Sequence, residues 1–297
     1  MYGSGKLSIN AKRQATGFLF VLPAFSIFLI FLIYPIGFTF YLSFTKWMGF
    51  KFSEIKFVGL ANFVNLFQDR IFWRALKNTI IYVGATTLFL NILGLSFALI
   101  IDSKVRGSRV CKIIYFLPVV MCPVVIGIMW SRLLDPFGFV NQLLGRVGLE
   151  RLTHPWLGEA KYALFAVVMA TVWQWMAYDM VIYYAGLQDI PVELHEVASL
   201  DGASYWQRLR YVTLPLLRPV TTMIVLLNLI GGIKVFDMIF VMTGGGPNYH
   251  SEVLSTYLYS QGFTYNFMGY ASAIGVIIVL LSFTTAYFRL RVSYEAV

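Results

Sequence analysis

Three ionisable side chains, Asp179, Lys234 and Asp237, stand inside long apolar runs of this 297-residue chain. A charge among apolar neighbours is costly, and it is kept where it lines a polar path or holds something. Lys234 and Asp237 are three residues apart, so a continuous helix would place them on one face, where they could neutralise each other. Asp179 lies in a stretch dense in aromatic and amide groups: Trp173, Gln174, Trp175, Tyr178, Tyr183 and Tyr184. Aromatic faces that stack on C–H surfaces, with amides and a carboxylate to take hydroxyls, are the groups that bind a sugar. Trp173, Gln174, Tyr178 and Asp179 supply them, and Asn228 and Asn91 add polar groups in neighbouring runs. The same stripe also fits helix packing or an interfacial aromatic belt.

Other chemistry finds no pattern. Gly3-Ser4-Gly5-Lys6 imitates part of a phosphate-binding loop but lacks its spacing, its preceding strand and the Ser or Thr after the lysine. His195-Glu196 opens like a zinc-peptidase motif, yet Ser199 stands where the second histidine is needed. No nucleophile–histidine–acid set and no metal-ligand cluster stands out, so no catalytic residue, metal site or cofactor of the chain's own is expected.

The elements that must position these groups are membrane spans. The chain is 59% apolar and only 12% charged, with a mean hydropathy of +0.72, a surplus that one core cannot hide. Six segments reach the ~20 residues that cross a bilayer as helix: about 16–44, 78–101, 110–131, 162–187, 214–242 and 268–288. Helices satisfy every backbone polar group within lipid, so the predicted class is an all-α polytopic membrane protein. It comprises a tail 1–15, a membrane domain 16–291 and a tail 292–297. Pro23, Pro35, Pro118 and Pro123 are expected to kink their helices. Cys111 and Cys122 fall on one predicted helix and cannot bond to each other along it. Basic residues crowd Lys104–Lys112, while Thr243–Phe267 has none, which predicts that both termini and the 104–112 connection face the cytoplasm. The net charge of +9 fits that side and lipid headgroups; no basic–aromatic pattern suggests nucleic acid. Outside, Leu60–Ile71 reads as a short amphipathic helix, and Gly244-Gly245-Gly246-Pro247 breaks the end of the fifth span.

One charged stretch, Glu196–Pro219, interrupts two spans. Pro191 opens a helix over Val192–Leu200, Asp201-Gly202 breaks it, and Ser204 with Gln207 forms a capping-box signature for a second helix. Tyr205, Trp206, Leu209 and Val212 give that helix an apolar face, and Pro215 and Pro219 mark the return to the membrane. Two short helices at an angle, over 190–213, fit either a partner groove or the headgroup layer.

This stretch resembles the motif of the membrane subunits of binding-protein-dependent ABC importers, carried here by Glu196-Val197-Ala198, Asp201-Gly202-Ala203 and Leu214-Pro215. Val197 and Leu209 depart from the usual alanine and aromatic. Further motifs agree in order: Phe57-Val58-Gly59-Leu60 with Asn62-Phe63, Ala75-Leu76-Lys77-Asn78-Thr79, Gly186-Leu187-Gln188 with Ile190-Pro191, Phe236-Asp237, Thr243–Pro247 and Gly269-Tyr270-Ala271-Ser272-Ala273. Together they look like the carbohydrate-importer branch, similar to the first permeases of the maltose and glycerol-phosphate systems.

The resemblance implies the type I importer permease fold, in a bacterial inner membrane. It implies a second homologous permease, a dimer of cytoplasmic ATPase subunits holding ATP and magnesium, an extracytoplasmic solute-binding protein and a sugar substrate. Glu196, Ala198, Asp201, Gly202, Tyr205, Trp206, Leu209 and Pro215 would form the ATPase-coupling loop, with Glu196 as docking carboxylate and Gly202 as bend. Trp173, Gln174, Tyr178, Asp179, Asn228, Lys234 and Asp237 would line the substrate pathway. A self-contained secondary transporter is the alternative, but no repeated halves are seen. A membrane enzyme acting on lipid-linked sugars would need an acidic or nucleophilic cluster at the membrane edge, which is absent.

Overall fold

The computed structural model describes residues 19–103 and 108–294. The tail 1–15 with its glycine run, Lys104, Arg106 and the last three residues lie outside that description, as does the side chain of Cys111. The described chain is almost wholly helical and divides into two units.

The first unit runs to Leu66 and also takes in Gln261–Val276. Helix α1 (Leu19–Ser43) is an apolar span, and no residue of its most hydrophobic window is buried within the chain. A π turn over Leu29–Ile33 precedes Pro35 and absorbs the proline's missing donor. After α1 comes a two-stranded ribbon, β1 (Thr45–Lys46) antiparallel to β2 (Lys56–Phe57). The helix α2 (Ala61–Gln68) then fills part of the segment expected to be amphipathic. Buried Asn62 donates from Nδ2 to the carbonyls of Ser43 and Thr45, both at 2.8 Å. Gly269 leaves room for this corner: a Cβ there would sit 1.9 Å from the Thr45 carbonyl.

The second unit, Phe67–Ser260 with the chain from Ile277 on, holds the polar residues singled out above. Its axis is α3 (Arg70–Asp102), capped by Asp69, whose side chain accepts from the Ile71 amide at 2.8 Å. Next come α4 (Ser108–Val120) and α5 (Pro123–Leu133), bent by 106°. The single helix expected over 110–131 is broken because Pro123 forces Cys122 into an extended conformation (φ −59°, ψ 132°). Cys122 thus stands at the break rather than within a helix. A short helix, α6 (Phe139–Arg146), leads to α7 (Ala163–Gln188). Two short helices, α8 (Val192–Leu200) and α9 (Tyr205–Leu216), precede α10 (Arg218–Ile233), with a 65° bend between α9 and α10. The expected fifth span is interrupted again at Lys234–Phe236 before α11 (Asp237–Met242). Gly231 and Gly232 weaken the helix just ahead of this break. Helices α12 (Leu254–Tyr259) and α13 (Met268–Tyr294) complete the chain.

The contacts fix the helix directions. Tyr82 bonds Thr171, Asn91 bonds Tyr183, and Asp102 bonds Gln188, so α3 and α7 run parallel. Parallel neighbours require one crossing between them, and the bent pair α4–α5 supplies it. Helix α10 runs the other way, with Val220 against Gly186, Asn228 on Asp179 and Gly232 against Val83. Gly94 lets α3 meet α7 closely, since a Cβ there would lie 2.8 Å from the Asp179 Cβ and 3.2 Å from the Met180 amide. One apolar cluster, around Tyr82, Ile126, Val167 and Ile239, packs one end of these helices, and a second, around Ala98, Met180, Leu187 and Ile224, packs the other.

Candidate functional site

Between the two clusters lies a chamber of about 450 Å³. Tyr82, Thr86 and Leu90 of α3 and Thr171, Trp175, Tyr178 and Asp179 of α7 form its walls. Leu227, Asn228 and the glycine pair of α10 face them, and the unwound Lys234–Phe236 with Asp237 closes one side. The break in the fifth span is thus a lining of the chamber, as expected of non-helical backbone at membrane depth.

Asp179 is 2% exposed, and Asn228 Nδ2 donates to its Oδ2 at 2.6 Å. Asp179 is thus held by an amide rather than by a cation. Lys234 and Asp237 form no ion pair with each other, because the break removes the helical geometry that would have joined them. Both charges are exposed at the chamber. Tyr178 and Trp175 present half-exposed rings set edge to face at 6.1 Å. Polar oxygens, amide donors, ring faces and one cation therefore converge on one space, a combination suited to a polyhydroxylated ligand.

Tyr178, Asp179, Asn228, Lys234 and Asp237 come together in this way; Trp173 and Gln174 do not line the chamber. Gln174 is fully buried, and its Nε2 donates to the Met121 carbonyl at 3.1 Å, the acceptor that the α4–α5 break leaves free. Trp173 packs edge to face on Trp130 at 5.7 Å, within the apolar cluster. Asn91 accepts from the Tyr183 hydroxyl at 2.8 Å and ties α3 to α7. Tyr82, Thr86 and Thr171 also line the chamber without any signal singled out in the sequence, and Trp175 and Phe236 line it although the sequence places neither on the pathway. Helical rotation of about 100° per residue could have found part of this set: 171, 175, 178 and 179 share a face of α7 that 173 opposes.

The stretch 190–216 folds as its local signals require. Gly202 has φ +77° and ends α8: its amide bonds the Ser199 carbonyl at 3.1 Å, and the Ala203 amide bonds the Ala198 carbonyl at 2.9 Å. That is the Schellman pattern, with glycine in the left-handed position. Ser204 N then donates to Gln207 Oε1 at 2.7 Å, the capping box that starts α9. Asp201 is the last residue of α8's cap, and Ala198 is half-buried. Glu196 is exposed beside a shallow groove shared with His195, Ser199, Leu200 and Arg208; Arg208 also reaches the Ser199 hydroxyl. Leu200, Trp206 and Tyr211 are 87%, 72% and 70% exposed, a surface that asks for an apolar partner. Tyr205 is exposed against Trp206, whereas Leu209 is half-buried. Pro215 does not end the helix. A π turn over Leu209–Thr213 accommodates it, and α9 continues to Leu216.

At the opposite end of α3, the Thr243–Val253 loop is braced. Arg74 Nη1 donates to the Asn248 carbonyl at 2.8 Å, and Asn78 Nδ2 to the Glu252 carbonyl at 2.9 Å. The Glu252 side chain is buried against Gly245, where a Cβ would sit 1.9 Å from its Oε2. Burial raises the Glu252 carboxyl above the usual carboxylate range, opposed by its Thr256 hydrogen bond.

Residues 90–293, more than half of the chain, match the family of binding-protein-dependent transport system inner membrane components. The chain belongs to this family. The permease is 36% identical to a probable ABC transporter permease protein, YurN, of Bacillus subtilis (strain 168), over 94% of its own length and 96% of the relative's. It is 34% identical to the trehalose/maltose transport system permease protein MalF of Thermococcus litoralis, with 95% of each chain covered. Its fold superposes on a chain of a bacterial ABC transporter involved in import of the acidic polysaccharide alginate, with a TM-score of 0.84, 27% identity and coverage of 98% and 99%. The all-α importer-permease fold expected from the sequence is therefore the fold of this chain.

Proposed function

We propose that this permease forms half of the translocation pathway of an ATP-driven, binding-protein-dependent sugar importer. The observation that carries the reading is the chamber at the broken fifth span, where the Asp179–Asn228 pair, the Tyr178 and Trp175 rings and the unpaired Lys234 and Asp237 meet. Relatives whose names specify trehalose/maltose, arabinooligosaccharide and lactose transport support a sugar as the cargo.

A second, homologous permease would complete the pathway. A pair of cytoplasmic ATPase subunits would bind ATP and magnesium and dock on α8–α9, taking Glu196 beside the groove and the exposed Leu200, Tyr205 and Trp206. A solute-binding protein would deliver sugar at the opposite end. ATPase closure would push α8–α9 and shift the helices between inward-open and outward-open states, a population shift between two conformations. Helices α8–α9 follow Gln188, which bonds Asp102 just before the basic 104–112 connection. Both termini in the cytoplasm agree with that arrangement. The test is sugar uptake by the reconstituted complex: the expected result is ATP- and binding-protein-dependent uptake whose KM rises in Asp179→Ala with assembly intact. Uptake driven by a proton gradient without an ATPase would overturn the reading.

A further inference from the structure

The connection between α5 and α7 carries a surface that none of the roles above uses. Helix α6 follows α5 after only five residues. Gly138 turns the chain sharply there: a Cβ would sit 2.5 Å from the Arg132 carbonyl and 2.6 Å from that of Leu133. Helix α6 is thus kept close against the end of α5, the second arm of the bent apolar pair.

Its inner side is fixed to the protein. Asn141 is buried, donates from Nδ2 to the His154 carbonyl at 2.9 Å and accepts from Trp156 Nε1 at 2.9 Å. Val140 packs on the apolar cluster beside it. The outer side should then be polar, as on an ordinary surface helix. Instead Phe139 and Leu143, one turn apart, are 62% and 48% exposed, and Val147 continues the row. Phe137, in the preceding turn, is 86% exposed. An exposed apolar row on a helix whose other side is already fixed to the protein needs an apolar partner. The surrounding charge is one-sided: Arg132, Arg146 and Arg151 are exposed, and Glu150 is the one exposed acid between Arg132 and Arg151.

We propose that this face of α6 is seated in the headgroup layer of an anionic bilayer, with Phe139 and Leu143 in the acyl boundary and the three arginines on lipid phosphates. Apolar area and basic charge combined at a span end are the signature of interfacial lipid binding. A solute-binding protein, which would approach from the same side because α7 separates this connection from α8–α9, would instead meet a surface free of lipid.

The complete importer in nanodiscs tests this. Leu143→Cys, with Cys111 and Cys122 changed to serine, is labelled with bimane. Quenching by nitroxide-bearing phospholipid is compared with quenching by a water-soluble nitroxide, with and without the binding protein. The expected result is quenching by lipid several-fold above that by the aqueous probe, unchanged by the binding protein. It should be stronger when the nitroxide lipid is anionic, and that excess should fall in Arg146→Glu/Arg151→Glu. Aqueous quenching that the binding protein blocks would overturn the proposal and give the face to that protein. Protection from both quenchers without it would overturn it in favour of the second permease. Equal quenching by anionic and neutral nitroxide lipids would overturn the role of the arginines.

Discussion

Asn228 donates from Nδ2 to Asp179 Oδ2 across 2.6 Å, joining α10 to α7 one and a half turns before the fifth span comes apart at Lys234. The pair presents a carboxylate to the chamber with one oxygen held in place. Asp179→Ala is expected to raise the KM for uptake by tenfold or more, as for loss of a hydrogen bond to a charged group worth about 1.5–3 kcal/mol. Asp179→Asn should lose less. Initial-rate uptake into proteoliposomes, with complex yield as control, measures both.

The two aromatic positions of α7 should separate cleanly. Tyr178→Ala and Trp175→Ala remove rings from the chamber wall and should raise the KM with little loss of thermal stability. Trp173→Ala removes the partner of Trp130 in the core and should cost about 3–5 kcal/mol of stability while the KM of the assembled fraction stays constant. Equal effects on KM would contradict the placement.

Gly94 sets the depth of Asp179. With a Cβ 2.8 Å from the Asp179 Cβ, Gly94→Ala must push α3 away from α7, an overpacking cost of about 1–3 kcal/mol. A lowered Tm together with reduced uptake is expected, and a second substitution away from the chamber should not rescue uptake.

Helices α8 and α9 should uncouple without unfolding. Glu196→Lys places a cation on an exposed groove and should leave yield and Tm unchanged while ATP hydrolysis no longer drives uptake. Gly202→Ala must hold alanine at φ +77°, at a cost of roughly 1–2 kcal/mol, and should reduce coupling less severely.

Glu252 gives a pH dependence of defined sign. Its folded carboxyl is raised by burial, so the folded loop binds the proton more tightly than the unfolded chain does. Stability from this group is therefore complete below the unfolded carboxylate range and is lost as pH rises through the raised folded value. Glu252→Gln should remove that loss, stabilising the Thr243–Val253 loop at neutral pH. Hydrogen exchange of the loop amides across pH should flatten in the variant.

The spans and the Val192–Leu216 double helix were legible because their signals are local: apolar length, a glycine at a helix end, and Ser204 with Gln207. The breaks are legible only in part. Pro123 announces the first, but nothing near Lys234 marks the second except Gly231-Gly232, so the sequence leaves open a helical Lys234–Asp237 pair that the break at Lys234–Phe236 prevents. Sequence alone places Gln174 and Trp173 on the pathway, because polarity and aromaticity do not say which way a side chain points. The direction depends on the α4–α5 break, whose free carbonyl Gln174 takes, and that pairing is 53 residues apart in sequence.

The most direct test of the pathway is the accessibility of Tyr178→Cys, in a background with Cys111 and Cys122 changed to serine, to maleimide in the reconstituted importer. Sugar-loaded binding protein with ATP should slow labelling several-fold relative to ATP with unloaded binding protein, because sugar crossing the chamber covers position 178. Labelling at the same rate with and without sugar would contradict a translocation path through the Asp179–Asn228 chamber.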